Sequence, residues 1–129
     1  MRKLLIFLTV IIGLVLFLES CQYKSTIEPI IPPPDPTEPI YFATQVVPIW
    51  NTNDKCTKCH NTGGTAPDLT AANAYAAIID SYVDVDNPAS SIIYAFPHPD
   101  TDTHSWGTSY TLGEAAILLQ WIEQGAVNN

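Results

Sequence analysis

The pattern of apolar positions divides the chain into three parts. Residues 4–18, LLIFLTVIIGLVLFL, are an apolar run interrupted only by Thr9 and Gly13. Residues 22–39, QYKSTIEPIIPPPDPTEP, show no period. From residue 41 apolar positions return at helical spacing. Phe42, Val46, Ile49 and Trp50 fall at i, i+4, i+7 and i+8 and predict a helix over 41–50. Pro48 within it is expected to kink or restart the helix. Tyr75, Ile78, Ile79 and Tyr82 make a second stripe, with Thr70 as the predicted N-cap. Asn87-Pro88 reads as a cap with proline at the first helical position, opening a third helix through residues 90–94. Thr111-Leu112-Gly113-Glu114 has the form of a capping box for the last helix. Leu112, Ala115, Leu118, Leu119 and Ile122 give that helix a broad apolar face, and Gly125 is its predicted stop. No stretch alternates as a strand does, so the expected fold is all-α, with about four short helices.

The first two parts concern where the protein sits. Arg2 and Lys3 precede the 15-residue apolar run, which is shorter than the roughly 20 residues of a membrane span. This is a positive n-region followed by an h-region, the form of a secretory signal. Leu18-Glu19-Ser20-Cys21 follows and resembles a bacterial lipobox. The resemblance implies cleavage before Cys21 and a lipid on its sulfur; the alternative is an uncleaved signal anchor. Six of the 18 residues in 22–39 are proline, which excludes a continuing helix or an inner strand. Such a segment favours polyproline II and reaches on the order of 50 Å at about 3.1 Å per residue. The expected organisation is thus a signal peptide over 1–20, a lipidated cysteine and proline-rich tether over 21–39, and one small domain over 40–129.

Charge narrows the partners. The formal net charge is −8, which makes nucleic acid an unsuitable ligand. The chain from Cys21 keeps 3 of the 5 basic and 12 of the 13 acidic residues, a net −9. An acidic body steers basic partners, or simply keeps the protein soluble. Lys55 and Lys58 stand out as a local positive spot.

They flank the stretch with the most chemistry, Cys56-Thr57-Lys58-Cys59-His60. C-x-x-C-H is the attachment sequence of a c-type haem. Its two thiols add across the vinyl groups, and the next imidazole reaches the iron. Two intervening residues put both sulfurs on one side of a helical turn. The cysteine count agrees. The chain has 3 cysteines; lipid on Cys21 leaves only the C-x-x-C pair.

The order of motifs over 42–126 resembles the small monohaem cytochrome c domains of exported bacterial proteins. The pieces are Val46-Val47-Pro48-Ile49, the C-x-x-C-H, Ala66-Pro67-Asp68-Leu69, Asn87-Pro88-Ala89-Ser90-Ser91-Ile92-Ile93-Tyr94 and Trp121-Ile122-Glu123-Gln124-Gly125-Ala126. The resemblance implies a cytochrome c-like bundle around one covalently bound haem. It assigns Pro67 the backbone carbonyl that accepts a hydrogen bond from the His60 ring. Trp50, Tyr75, Trp106 and Trp121 are candidate haem neighbours. One departure is informative. The family uses a methionine before the last helix, but the only methionine here is Met1. His104-Ser105-Trp106-Gly107 falls at that place, so His104 is the first candidate for the sixth iron ligand and His98 the second. A five-coordinate iron is the third possibility.

These readings imply a one-electron carrier rather than an enzyme, exchanging electrons with redox proteins and anchored in the cell envelope, facing the periplasm. The alternative is a haem-based gas or redox sensor with a labile sixth site. A thiol oxidoreductase would need a βαβ pattern around the motif, which is missing. A structural zinc would need four ligands, and the histidines other than His60 are distant in sequence.

Overall fold

The computed structural model describes residues 34–101, 103, 104, 107 and 109–129. The signal peptide, Cys21, most of the tether and Trp106 lie outside the described residues. The described domain is all-α: its elements are helices and helical turns, and no strand occurs among the described residues. None of these helices is long and apolar enough to cross a membrane.

The first predicted helix is two pieces. A π-helical turn, Phe42–Val46, runs into α1, Val47–Asn51. Pro48 stands in the first turn of α1, where its missing N–H would have no helical partner. The expected restart is therefore present, one residue ahead of the proline. Phe42, Val46, Val47, Ile49 and Trp50 are buried. Asn53 and Asp54 then take left-handed backbone angles (φ 54° and 53°) that turn the chain out of α1. Short polar side chains tolerate that conformation better than most.

The second helix, α2, is Ala74–Ile78, later than Thr70 suggested. The Thr70 hydroxyl donates to the Asp68 carboxylate instead of capping the helix. Asp68 also accepts from the Thr70 N–H, the Thr62 hydroxyl and the Asn73 amide. These bonds, those from Thr70 and Thr62 foremost, hold its carboxyl far below the usual carboxylate range. The third helix is also broken. A 3₁₀ turn, Pro88–Ser90, is separated from α3, Ile92–Ala95, by Ser91 in a non-helical conformation. Ser91 is buried, and its hydroxyl accepts from the Asp84 N–H at 2.9 Å, which takes the residue out of the helical path.

The last helix, α4, is Leu112–Glu123. Both halves of its capping box form: the Thr111 hydroxyl accepts from the Glu114 N–H, and the Glu114 carboxylate accepts from the Thr111 N–H. At the other end Gly125 takes φ 93°, the Gly125 N–H reaches the Ile122 carbonyl and the Ala126 N–H reaches that of Trp121. That pairing is a Schellman stop. The buried face of α4 carries Ala115, Leu118, Trp121 and Ile122, while Leu112 is 66% exposed. Leu112 is the first residue of α4, on the turn that the capping box occupies, so its periodicity does not bring it into the core.

The core is aromatic at its centre. Phe42 packs against Trp50, Tyr75 and Trp121, with ring centroids 6.1, 5.3 and 5.1 Å away. Both ends of the domain close on α4. The Gln120 amide donates to the carbonyls of Asp35 and Glu38, and the Gln124 side chain accepts from the Ile40 N–H. The Asn129 side chain accepts from the Phe42 N–H. The end of the tether is thus part of the folded body, and Ile40 is buried.

Candidate functional site

Residues 56–60 form a single helical turn. The Cys56 carbonyl accepts from the N–H groups of both Cys59 and His60, at 3.1 and 2.9 Å. The start of the turn hangs from α1, because the Trp50 carbonyl accepts from the Cys56 N–H at 2.9 Å. Its end is capped by the Asn61 side chain, which donates to the Thr57 and Lys58 carbonyls. Lys55 forms an ion pair with Glu114, joining this turn to the cap of α4. Lys55 is therefore not part of a free positive spot: Glu114 balances its charge, and Lys58 remains exposed.

The two cysteines are free thiols in unlike surroundings. Cys56 is half-buried against the core, and burial pushes its thiol up to about 11. Cys59 is exposed, and its carbonyl accepts from the Thr65 N–H at 2.9 Å.

The chain after His60 folds back beneath it. The His60 carbonyl accepts from the Leu69 N–H, and the Asn51 side chain donates to the Leu69 carbonyl. That return places the Pro67 carbonyl 3.2 Å from His60 Nδ1. A carbonyl only accepts, so Nδ1 is the ring nitrogen that carries the proton, and Nε2 keeps a free lone pair. The bond fixes the orientation and tautomer of the ring, as a carbonyl bonded to the other ring nitrogen does for metal-bound histidines.

His60 faces a cavity of about 360 Å³, within the range of small-molecule and cofactor sites. Its wall is mainly apolar: Pro67, Leu69, Tyr82, Ile92, Ile93, Phe96 and Tyr110. Cys56 and His104 also line it. Cys59 does not. Tyr110 is buried, and its hydroxyl accepts from Trp50 Nε1 and donates to the Ile93 carbonyl. Burial raises its ionisation well above the usual tyrosine range, so it is a neutral wall residue.

The loop between α3 and α4 delivers His104. Its base closes where the Tyr110 N–H bonds to the Pro97 carbonyl. Inside the loop, the Thr101 hydroxyl donates to the His98 carbonyl and the Thr103 hydroxyl to that of Phe96. The His104 ring lies with its centroid 6.1 Å from that of His60 and the planes 28° apart. Phe96 meets it edge-on at 5.6 Å. Nδ1 of His104 is buried with no hydrogen-bond partner among the described residues.

His98, the alternative, is turned elsewhere. Its Nδ1 accepts from the Asp100 N–H at 3.2 Å, its ring packs on Tyr94, and it is not among the cavity residues. The candidate aromatic neighbours among the described residues, Trp50, Tyr75 and Trp121, are not cavity-wall residues. Trp50 and Trp121 are core, and the Tyr75 hydroxyl donates to the Ala126 carbonyl. Tyr82, Phe96 and Tyr110 take the wall positions instead. Only Tyr82 belonged to a predicted stripe, and no sequence signal distinguished the other two from ordinary packing.

The donor set can be tested against a haem. Two imidazoles bonded to one metal ion from opposite sides have centroids about 6 Å apart, from roughly 2 Å per metal–nitrogen bond. The His60–His104 centroid separation of 6.1 Å is of that size, with the rings stacked at 28°. No group of three or more His, Cys, Asp or Glu side chains sits together among the described residues, so a four-ligand zinc site is not supplied. A macrocycle that brings its own four nitrogens needs only two protein ligands. No known family profile, curated protein or solved structure matches this chain.

Proposed function

We propose that this chain is a lipid-anchored monohaem c-type cytochrome that carries single electrons between redox proteins of the cell envelope. The observation that carries the reading is the pair His60 and His104, with ring centroids 6.1 Å apart, both lining an apolar cavity with Cys56 in its wall. Cys56 and Cys59 would hold the haem as thioethers, His60 and His104 would bind its iron, and the domain would be a cytochrome c-like bundle. When bound, the haem supplies a one-electron iron couple.

This chain's own residues set the conditions for that couple. The Pro67 carbonyl orients His60 and makes Nε2 the ligating atom. Ile92, Ile93, Leu69 and Tyr110 give the cavity an apolar wall, and burial against such a wall would tune a haem potential. A histidine in place of the family's methionine removes the ligand that raises the potential. The thiol-exchange alternative is poorly served by Cys56, because a thiol raised to about 11 is little ionised near neutrality.

One feature favours a sensor as the second reading. Nδ1 of His104 has no hydrogen-bond partner among the described residues, whereas that of His60 is held by Pro67. A ligand without such support is the one an external diatomic would displace. Visible spectra of the purified protein and of His104→Ala and His98→Ala test the assignment. The expected result is a low-spin six-coordinate spectrum in the parent and in His98→Ala, lost in His104→Ala. A spectrum unchanged by both substitutions rejects the two-histidine site. Rapid carbon monoxide binding by the reduced parent selects the sensor.

A further inference from the structure

His104 occupies its position because residue 107 has no side chain. The Gly107 N–H donates to the His104 carbonyl at 3.4 Å, and the imidazole of His104 lies close against Gly107. A Cβ built on Gly107 would lie 2.4 Å from Cε1 and 2.9 Å from Nδ1 of the ring. Carbon atoms in contact sit about 3.5–4.0 Å apart, so the ring would have to retreat by about 1 Å. The ring also packs against Phe96 at 5.6 Å, with the two planes near perpendicular. His104 is thus in contact with both Phe96 and the bare backbone of Gly107.

Gly107 has no positive φ, unlike Gly63 and Gly125, so backbone freedom does not explain it. The requirement is the close approach of the ring. The atoms that clash belong to the end of a side chain rather than to backbone. A methyl group at 107 would therefore be tolerated by the fold, with the imidazole giving way. Metal–ligand distances tolerate only about ±0.2 Å, far less than the displacement such a methyl demands.

We infer that Gly107 is a positioning residue for the distal ligand: its missing side chain lets the His104 ring stand opposite His60. The inference rests on the proposed ligation by His104. The part of the ring nearest Gly107 is Cε1, with Nδ1 and Nε2 on either side of it.

The test is a cycle of four haem-loaded proteins: parent, Gly107→Ala, His104→Ala and the double variant. Spin state is read from the visible spectrum and stability from denaturant midpoints. Gly107→Ala is expected to lose the low-spin spectrum, as His104→Ala does, and to regain it with added imidazole. It is also expected to lower the midpoint in the parent but not in the His104→Ala background, where no ring remains to meet the new methyl. A Gly107→Ala protein with the parent's low-spin spectrum overturns the inference. So does an equal loss of stability in both backgrounds, which would make Gly107 a backbone requirement only. A parent protein that is not low-spin overturns the ligation itself, and the coupling in stability separates that failure from failure of the Gly107 contact.

Discussion

Two cysteines three residues apart differ by burial, and that difference has consequences before any haem is attached. Cys56 is held near 11 by burial, while Cys59 is exposed. The thiolate is the reactive form, and raising a thiol's ionisation leaves less thiolate at a given pH. In chain without attached haem, alkylation at about pH 8.5 is expected at Cys59 first, with Cys56 catching up only as the pH rises towards 11. Peptide mapping of partly alkylated protein reads this, and equal labelling at pH 8.5 contradicts the buried placement. Position 104 makes a second prediction. His104→Met is expected to raise the reduction potential, because methionine ligation favours the reduced iron. A redox titration that leaves the potential unchanged excludes residue 104 as a ligand. The sequence made 104 and 98 rivals because both are histidines in an aperiodic loop. What separates them is local: Asp100 turns its N–H onto His98, whereas Gly107 leaves room for His104.

Among the elements, α4 was the most legible. Its capping box, its glycine stop and most of its buried face follow from short-range chemistry, which a sequence displays directly. Thr111→Ala is expected to cost about 0.5–2 kcal/mol, read as a lower denaturant midpoint. Its effect reaches the candidate site, because Glu114 both caps α4 and pairs with Lys55 beside Cys56. An unchanged midpoint would mean that the cap carries no stability. α2 and α3 were less legible for a physical reason. Their boundaries are set by polar side chains that bond away from the helix: Thr70 to Asp68, and Ser91 to Asp84. Periodicity records which residues face the core, but not where a hydroxyl finds its partner. The broken helix around Ser91 keeps Ile93 in the core and Ile92 at the cavity.

For the molecule as a whole, the all-α class and the C-x-x-C-H turn were readable from the pattern of the chain. The cavity wall was not. Leu69, Ile93 and Tyr110 both line the cavity and belong to the buried core, and composition gives them no mark of that double role. Trp50 and Trp121 attracted attention by size, but they serve the core behind the wall. Trp50 reaches the site through Tyr110, which accepts from its Nε1, and through its carbonyl, which accepts from the Cys56 N–H. The architecture also explains how so short a domain closes. Gln120, Gln124 and Asn129 bind the backbone of residues 35–42, so α4 and the C-terminus fasten the end of the tether. Within that frame, the account stands or falls on what Cys56 and Cys59 become. The most direct measurement is the intact mass of the exported protein, with peptide mapping across residues 56–60. The account predicts one haem bound to the chain, carried by that peptide, with no free thiol at either cysteine. Two free thiols, or a disulfide between Cys56 and Cys59, would contradict it.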